Sequence, residues 1–324
     1  MSGLAVPLDR PAAPGEVGGK LSALAGLRRA GFAVPAGYAV TVAAFRCQLA
    51  ATGLQELADR VVAALRRDSD RTGDEVGLEL AARLRQALAT APVAGPVRDA
   101  IAAAHRRLRA GRADPPVAVR SSAVDEDGAA ASFAGVFDTV LGVRGTGAVV
   151  EAVRECWAGL YAPRALAYRR RRAADLPMAV GVQELVPARC SGVAFSAHPV
   201  TGRRDRVVIE ANWGWGEAVV QGSVTPDHVE VDTGTGVAGR VVRHVVAHKA
   251  VMSGPDPDGG RIRTVPVPAA LADRPVLDEA QIMEIATTVR RVERHTGRPV
   301  DVEWVLDGAR PARLWIVQAR PITA

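Results

Sequence analysis

Lysine is nearly absent from this chain. Of its 41 lysines and arginines, all but Lys20 and Lys249 are arginine. With the general surface cation drifted to arginine, each remaining lysine is expected where a compact, rotatable charge serves better than a planar fork, at a phosphate or a backbone carbonyl. Cysteine is scarce too. Cys47, Cys156 and Cys190 are odd in number, far apart and without metal-ligand spacing, which excludes a disulfide framework and predicts free thiols in a reducing compartment. Aromatic residues make up only 4%, and no zinc-finger, RNA-recognition or basic-zipper pattern accompanies the net charge of +6. The arginines of "YRRRRA" at 168–173 therefore read as the solvated end of a helix, with no nucleic-acid partner, and the positive charge favours an anionic small substrate. No apolar run approaches the roughly 18 to 20 residues of a membrane span, and the N-terminus lacks a basic region followed by an apolar stretch. The expectation is a cytoplasmic protein with no membrane partner.

Catalytic signatures of hydrolysis are missing as well. There is no Gly-x-Ser-x-Gly elbow. His244 and His248 are four apart but lie in a strand-like segment and lack the glutamate of a zinc-protease helix. What is present is a chain of 324 residues, 48% hydrophobic and 23% charged, the profile of a globular protein of about two domains.

The stretch "GEVGGKLSALAGL" at 15–27 has the look of a phosphate-binding loop and fails its test. A P-loop needs glycine, four residues, then Gly-Lys-Ser/Thr, because amides cradle the phosphates and the hydroxyl binds magnesium. Pro14 takes the place of the first glycine, Leu21 that of the hydroxyl residue, and three prolines interrupt the segment before it. Lys20 needs another explanation.

Periodicity divides the chain into an N-terminal, mostly helical part over 1–178 and a β-rich part over 179–324. Leu57, Val61 and Leu65, then Leu80, Leu84 and Leu88, recur at helical spacing. Val150, Val153, Trp157 and Leu160 define one face of a further helix. "PPVAVRSSA" at 115–123 alternates like a strand and delivers Arg120 near its end. From residue 179, "MAVGVQELV", "SGVAFSA" and "DRVVIEANWG" are short apolar runs between turn signals. A late helix is predicted from Asp278 as N-cap, with Gln281 three residues on, Ile282, Ile285, Ala286, Val289 and Val292 inward and Gly297 as its stop.

Two closing strands, "VDVEWVL" and "RLWIVQA", flank the loop "DGARPAR". Alternation puts Val302, Trp304 and Leu306 on one face and Asp301 and Glu303 on the other. A register with Leu306 opposite Trp315 places Glu303 opposite Gln318 and Asp301 opposite Arg320. That grouping joins a carboxylate, an amide oxygen and a guanidinium, and hard oxygen ligands completed by substrate phosphates suit magnesium; the bland alternative is a surface salt bridge beside a polar pair. Arg120 at a strand end suits a phosphate or a pairing with Asp125, Glu126 or Asp127. Ser132, Phe133, Ala134 and Gly135 form a loop of mostly small residues whose amides could approach phosphate oxygens. Gln183 and Glu184, in an otherwise apolar strand, offer exposed backbone amides for an adenine edge and the Glu184 carboxylate for a ribose, or simply mark a strand leaving the core.

In order, "GGK", "VRSSAVDEDGAAASFAG", "VQELVP", "SGVAFSAHPVTG", "IEANWGWGEAVVQGSVTPD", "DVEWVL" and "QARPIT" resemble the N-terminal ATP-binding domain of the phosphoenolpyruvate synthase and pyruvate phosphate dikinase family, a domain that rifamycin phosphotransferases share. The resemblance covers nearly the whole chain. It implies an α+β, ATP-grasp-like fold whose two lobes close on the nucleotide, with ATP and Mg2+ as cofactors. It further implies that Lys20, Arg120 and Arg320 act on the phosphates, Ser132–Gly135 cover them, Gln183 and Glu184 hold the adenosine, and Glu303 and Gln318 bind the metal. Two departures stand out. His198 occupies the place where the family usually has Asp or Asn before "PVTG", and no histidine sits in the Ser/Thr-His-Ala setting of the family's phosphorylatable carrier. The expectation is thus an ATP-dependent phosphotransferase domain passing a phosphoryl group to a carrier histidine on a separate or missing swivelling domain; the alternatives are direct phosphorylation of a small molecule and a non-catalytic nucleotide-binding module.

Overall fold

The computed structural model describes residues 3–67, 75–111, 113–124, 139–169, 177–234, 239–256 and 262–322. It is a mixed α+β fold of two compact units. The first reaches Leu185 and the second runs on from Val186, with Gly26–Pro35 belonging to the second.

The strands of the first unit are β1 (Ala5–Pro7), β2 (Gly37–Val40), β3 (Val117–Ala123), β4 (Thr139–Val143) and β5 (Met178–Glu184), joined in one sheet in the order β1-β2-β5-β3-β4. The sequence reading changed lobes after residue 178. Because β5 pairs with β2 and β3, residues 178–185 stay with the first unit. Its helices are α1 (Pro14–Arg29, whose last residues fall in the second unit), α2 (Val42–Ala51), α3 (Gln55–Arg67), α4 (Glu75–Thr90), α5 (Gly95–Arg109), α6 (Thr146–Gly159) and α7 (Pro163–Arg169). Alternation along β3 and β5 sends Val117, Val119, Val180 and Val182 into the main core, where they join Leu84 and Leu88 of α4 and Val153 and Trp157 of α6. A smaller apolar cluster holds Val17 and Leu21 of α1 with Val6, Leu8 and Ala39.

The second unit contains β6 (Ala188–Phe195), β7 (Arg206–Trp213), α8 (Glu217–Val220), β8 (Asp227–Asp232), β9 (Arg240–Val245), β10 (Val251–Pro255), β11 (Ile262–Pro266), α9 (Ala269–Ala272), α10 (Glu279–Thr296), β12 (Val300–Asp307) and β13 (Leu314–Pro321). Six of the strands form an antiparallel sheet in the order β13-β12-β6-β7-β8-β9, and β10 and β11 form a two-stranded ribbon. Helix α10 starts as its sequence predicts. The Asp278 carboxylate accepts from Gln281 N at 2.8 Å while the Gln281 side chain accepts from Asp278 N at 3.2 Å, and Gly297 ends the helix in the left-handed region at φ 72°. Its buried face of Ile282, Ile285, Ala286, Val289 and Val292 packs on the sheet over Val302, Trp304, Ile209 and Val229.

All three cysteines are free. Burial pushes the Cys190 thiol up to about 11, against the opposing charge of Arg189, which leaves it an unreactive core group. Among the described residues no helix is long and apolar enough to cross a membrane.

Lys249 is where the lysine count leads first. It is fully buried, and its ammonium donates to Asp227 Oδ1 at 2.6 Å and to the Ala247 carbonyl at 2.7 Å. Asp227 in turn accepts from Ala247 N at 2.9 Å and Val276 N at 2.8 Å. The pair therefore fixes three separate stretches of chain around β8. Removing one partner strands a buried charge, so Lys249→Met should cost about 3–5 kcal/mol in urea unfolding, while the double variant Lys249→Met/Asp227→Leu should recover a large part of that loss. Equal stability of the wild type and Lys249→Met would refute this account.

Candidate active site

In the first unit, helix α1 is not one helix. Its backbone leaves helical geometry at Gly18, with φ 79° and ψ 164°, a region essentially reserved for glycine. A second helical run starts after it with Lys20 in its first turn. This is how "GGK" presents a lysine without a P-loop: the helix restarts in place of a glycine-rich loop. The restart lies on the sheet face opposite the main core. Leu21 presses on Gly181 of β5, where a Cβ would lie 2.6 Å from the Leu21 Cδ2, and Gly181 is the direct partner of Arg120 in β3. Lys20 is half-buried and Arg120 buried, at 9% exposure.

Gln183 follows Gly181 on that same face by alternation. It is 4% exposed, and its Nε2 has no hydrogen-bond partner among the described residues. A buried amide donor without a partner is costly unless a ligand accepts from it. Glu184 points to the other face, half-buried. The main-chain amides expected to be exposed here are not: strand pairing takes them, with Glu184 N donating to Ala36 O at 2.8 Å and Leu185 N to Pro116 O at 2.9 Å. Ser132, Phe133, Ala134 and Gly135 lie outside the described residues.

In the second unit, β12 and β13 pair so that Glu303 opposes Gln318 and Asp301 opposes Arg320. Further along, Leu306 opposes Leu314 and Trp315 opposes Val305, one residue away from the expected Leu306–Trp315 pairing. The register shifts between Glu303 and Trp304, where Val317 is the additional residue on β13, so the expected grouping holds on one side of the bulge alone. Arg320 donates to Asp301 Oδ2 through Nε at 2.8 Å and Nη2 at 2.6 Å. Burial raises the Asp301 carboxyl above the ordinary range. Arg320 pulls it back down, while the charges of Glu303 and Glu210 raise it further.

Sequence reading did not single out Glu210. Strand pairing runs from Glu303 to Val193 and from Val193 to Glu210 and His228, which puts these residues in one row on one face. His228 stands 4.0 Å from Glu210 and 3.6 Å from Glu230. The alternation of "VVIEANW", with Val207, Ile209 and Ala211 buried, held the signal for this outward glutamate. The donors on this face are hard oxygens, and Asp301 Oδ1 is buried without a partner among the described residues. Those residues contain no group of three His, Cys, Asp or Glu able to hold a metal by themselves. Glu303 and Gln318 offer two oxygen donors of the hard kind, and a hard cation such as magnesium takes one or two of these from protein.

Residues 15–324 match the family described as "Pyruvate phosphate dikinase, AMP/ATP-binding domain". The chain is 38% identical over 315 residues to a probable phosphoenolpyruvate synthase of Methanothermobacter thermautotrophicus, covering 95% of this chain and 44% of that protein. It is 41% identical over 313 residues to the rifampicin phosphotransferase of a Streptomyces species, covering 95% and 34%, and 35% identical over 315 residues to the prodigiosin synthesizing transferase PigC of Serratia marcescens, covering 97% and 32%. The chain thus spans less than half the length of these relatives.

His198 resolves one of the departures noted in the sequence. It sits in the hairpin between β6 and β7, where its Nδ1 accepts from Val200 N at 3.2 Å and Thr201 N at 3.3 Å. An Asx side chain caps a turn with its oxygen in this way; here an imidazole nitrogen does so. Arg290 holds both legs of the hairpin by donating to Ser196 O and Arg204 O, each at 2.6 Å. His198→Asn should keep the cap, whereas His198→Ala should lose about 0.5–1.5 kcal/mol of local stability, seen as several-fold faster amide exchange at Val200 and Thr201. Equal exchange in the two variants would show that the ring does not cap the turn.

Proposed function

Because the chain belongs to the family of pyruvate phosphate dikinase AMP/ATP-binding domains, a family of ATP-dependent phosphotransferases, we propose that it binds ATP with magnesium and readies a phosphoryl group for a histidine on a separate swivelling domain. The observation that carries this reading is the β12–β13 hairpin, which sets Glu303 against Gln318 beside the Asp301–Arg320 ion pair. The finer reading of the fold, ATP-grasp-like with two lobes closing on the nucleotide, belongs to the same proposal.

Phosphoryl transfer needs little covalent help from protein; it needs positioning and neutralised charge. In this reading Lys20 and Arg120 bind phosphate oxygens from the first unit. Arg320 does so from the second, its guanidinium oriented by the buried Asp301. The covering of the phosphates is assigned, from the resemblance alone, to Ser132, Phe133, Ala134 and Gly135. Gln183 donates its buried Nε2 to the adenine edge; Glu184, expected at the ribose, lies on the other face of β5 and is not brought together with it. Glu303 and Gln318 would hold the magnesium. When bound, the ion supplies charge neutralisation at the phosphate oxygens. The β-phosphoryl then goes to the carrier histidine, the γ-phosphoryl passes to water or inorganic phosphate, and AMP is the nucleotide product.

Lys20→Ala and Arg120→Ala should each weaken ATP binding by about 1.5–3 kcal/mol, the worth of a charge-assisted hydrogen bond, as read by calorimetry on folded protein. Glu303→Gln keeps the size and removes the anionic ligand; nucleotide should still bind while turnover collapses across a magnesium titration. Wild-type affinity in both cation variants, or wild-type turnover in Glu303→Gln, would overturn the site.

Product identity tests the acceptor. Nucleotide chromatography should show little turnover by the chain alone, with or without pyruvate, and AMP once a histidine-bearing swivelling domain of the family is added. Rapid ADP production with a small-molecule acceptor and no added domain would instead establish a direct kinase.

A further inference from the structure

We infer that Ser122 is a positioning residue that caps the Lys20 helix from another strand and so sets the lysine against Arg120. The inference rests on the reading of Lys20 as a phosphate ligand. Where the second run of α1 begins, its first amide groups have no partners inside the helix. Ordinarily the N-cap side chain accepts from the N2 or N3 amide. The residue in the N-cap place is Gly18, which has no side chain to offer. Ser122 supplies the missing acceptor from β3: Leu21 N, at the N3 place, donates to Ser122 Oγ at 3.2 Å.

Three observations make this more than an incidental contact. Ser122 is fully buried. A Cβ on Gly18 would collide with the Ser122 carbonyl and hydroxyl, so the glycine is needed both for its backbone angles and for the approach that brings the hydroxyl within reach. The side chain of Leu21 is seated on Gly181, the strand partner of Arg120, which fixes the same residue by its other end. Ser122 and Arg120 are two apart on a regular strand and share a face. The helix bearing Lys20 is thereby registered to the strand bearing Arg120 through one hydroxyl and one leucine. Neither contact needs to touch a nucleotide.

A double-mutant cycle on ATP affinity, with magnesium present, tests the role. Ser122→Ala should weaken ATP binding about five- to tenfold, the fold-change expected where the stability that a lost N-cap acceptor removes from a helix start is passed on to the lysine it positions. In a Lys20→Ala background the same substitution should have almost no further effect, because the group it positions is gone. Adenosine, which has no phosphate, should bind the wild type and Ser122→Ala alike. If the alanine variant fails to fold, Ser122→Cys keeps the shape and exchanges a strong acceptor for a weak one, and the same pattern is expected. An equal loss in both backgrounds, or an equal loss for adenosine and ATP, would overturn the positioning role and leave the phosphate reading of Lys20 intact. Wild-type affinity in Lys20→Ala alone would sink that reading, and the inference with it.

Discussion

The side-chain alternation of antiparallel strands is the constraint on which the second unit depends. Helix α10 and the sheet beneath it bury Val302, Trp304, Ile209 and Val229 on one face. Because the period is two, the intervening residues must all appear on the other. Asp301, Glu303, Gln318, Arg320, Glu210 and His228 come to share a surface for that reason. The core thus determines where the polar groups can be. A one-residue slip of β12 would send Glu303 under α10 and Trp304 out, so the packing of this core also holds the carboxylates on the other face. The bulge at Val317 shows how local the requirement is. It shifts the pairing by one residue toward the loop, yet Glu303 and Gln318, on the other side of it, remain directly opposed.

The first unit solves a related problem by breaking an element. A continuous helix from Pro14 to Arg29 would place Lys20 in mid-helix, where the nearest amides are committed to carbonyls one turn back. The break at Gly18 creates a new helix start one residue before Gly19 and Lys20. A helix start is the place where positive partial charge and the lysine ammonium add together. A P-loop reaches a comparable result by winding a glycine-rich loop ahead of its helix. Here the helix start rests on Gly18 and on a hydroxyl from a distant strand.

What could be read from sequence alone followed from local chemistry. Helix α10 was legible at both ends because a capping box and a C-terminal glycine act within a few residues. The faces of β12 and β13 were legible because alternation needs no knowledge of partners. The bulge was not, since nothing in "RLWIVQAR" marks Val317 as the additional residue. The sheet to which β5 belongs was not either: an apolar run announces a strand and says nothing about its neighbours. His198 could be recognised as a departure, but its part as an acceptor for two amides appears only once the hairpin is folded. Ser122 and Leu21 are 101 residues apart, and the contact that joins them leaves no trace in either segment.

The two lysines show why rarity by itself does not identify a functional residue. Composition flagged both for one reason: a compact charge where arginine's fork would not serve. For Lys249 the structure supplies an explanation within the fold, since a carboxylate and a carbonyl accept from it in a fully buried place. A guanidinium there would need more room and more acceptors than Asp227 and Ala247 provide. Lys20 is different in kind. It is half-buried, stands on the first turn of a helix that a glycine break and a borrowed cap have set in place, and shares its sheet face with Arg120 and with an amide donor on Gln183 that the described residues leave unmatched. Partners inside a buried shell account for one lysine; the other stands at a helix start beside an amide donor unmatched among the described residues, and that placement is what supports its proposed phosphate role.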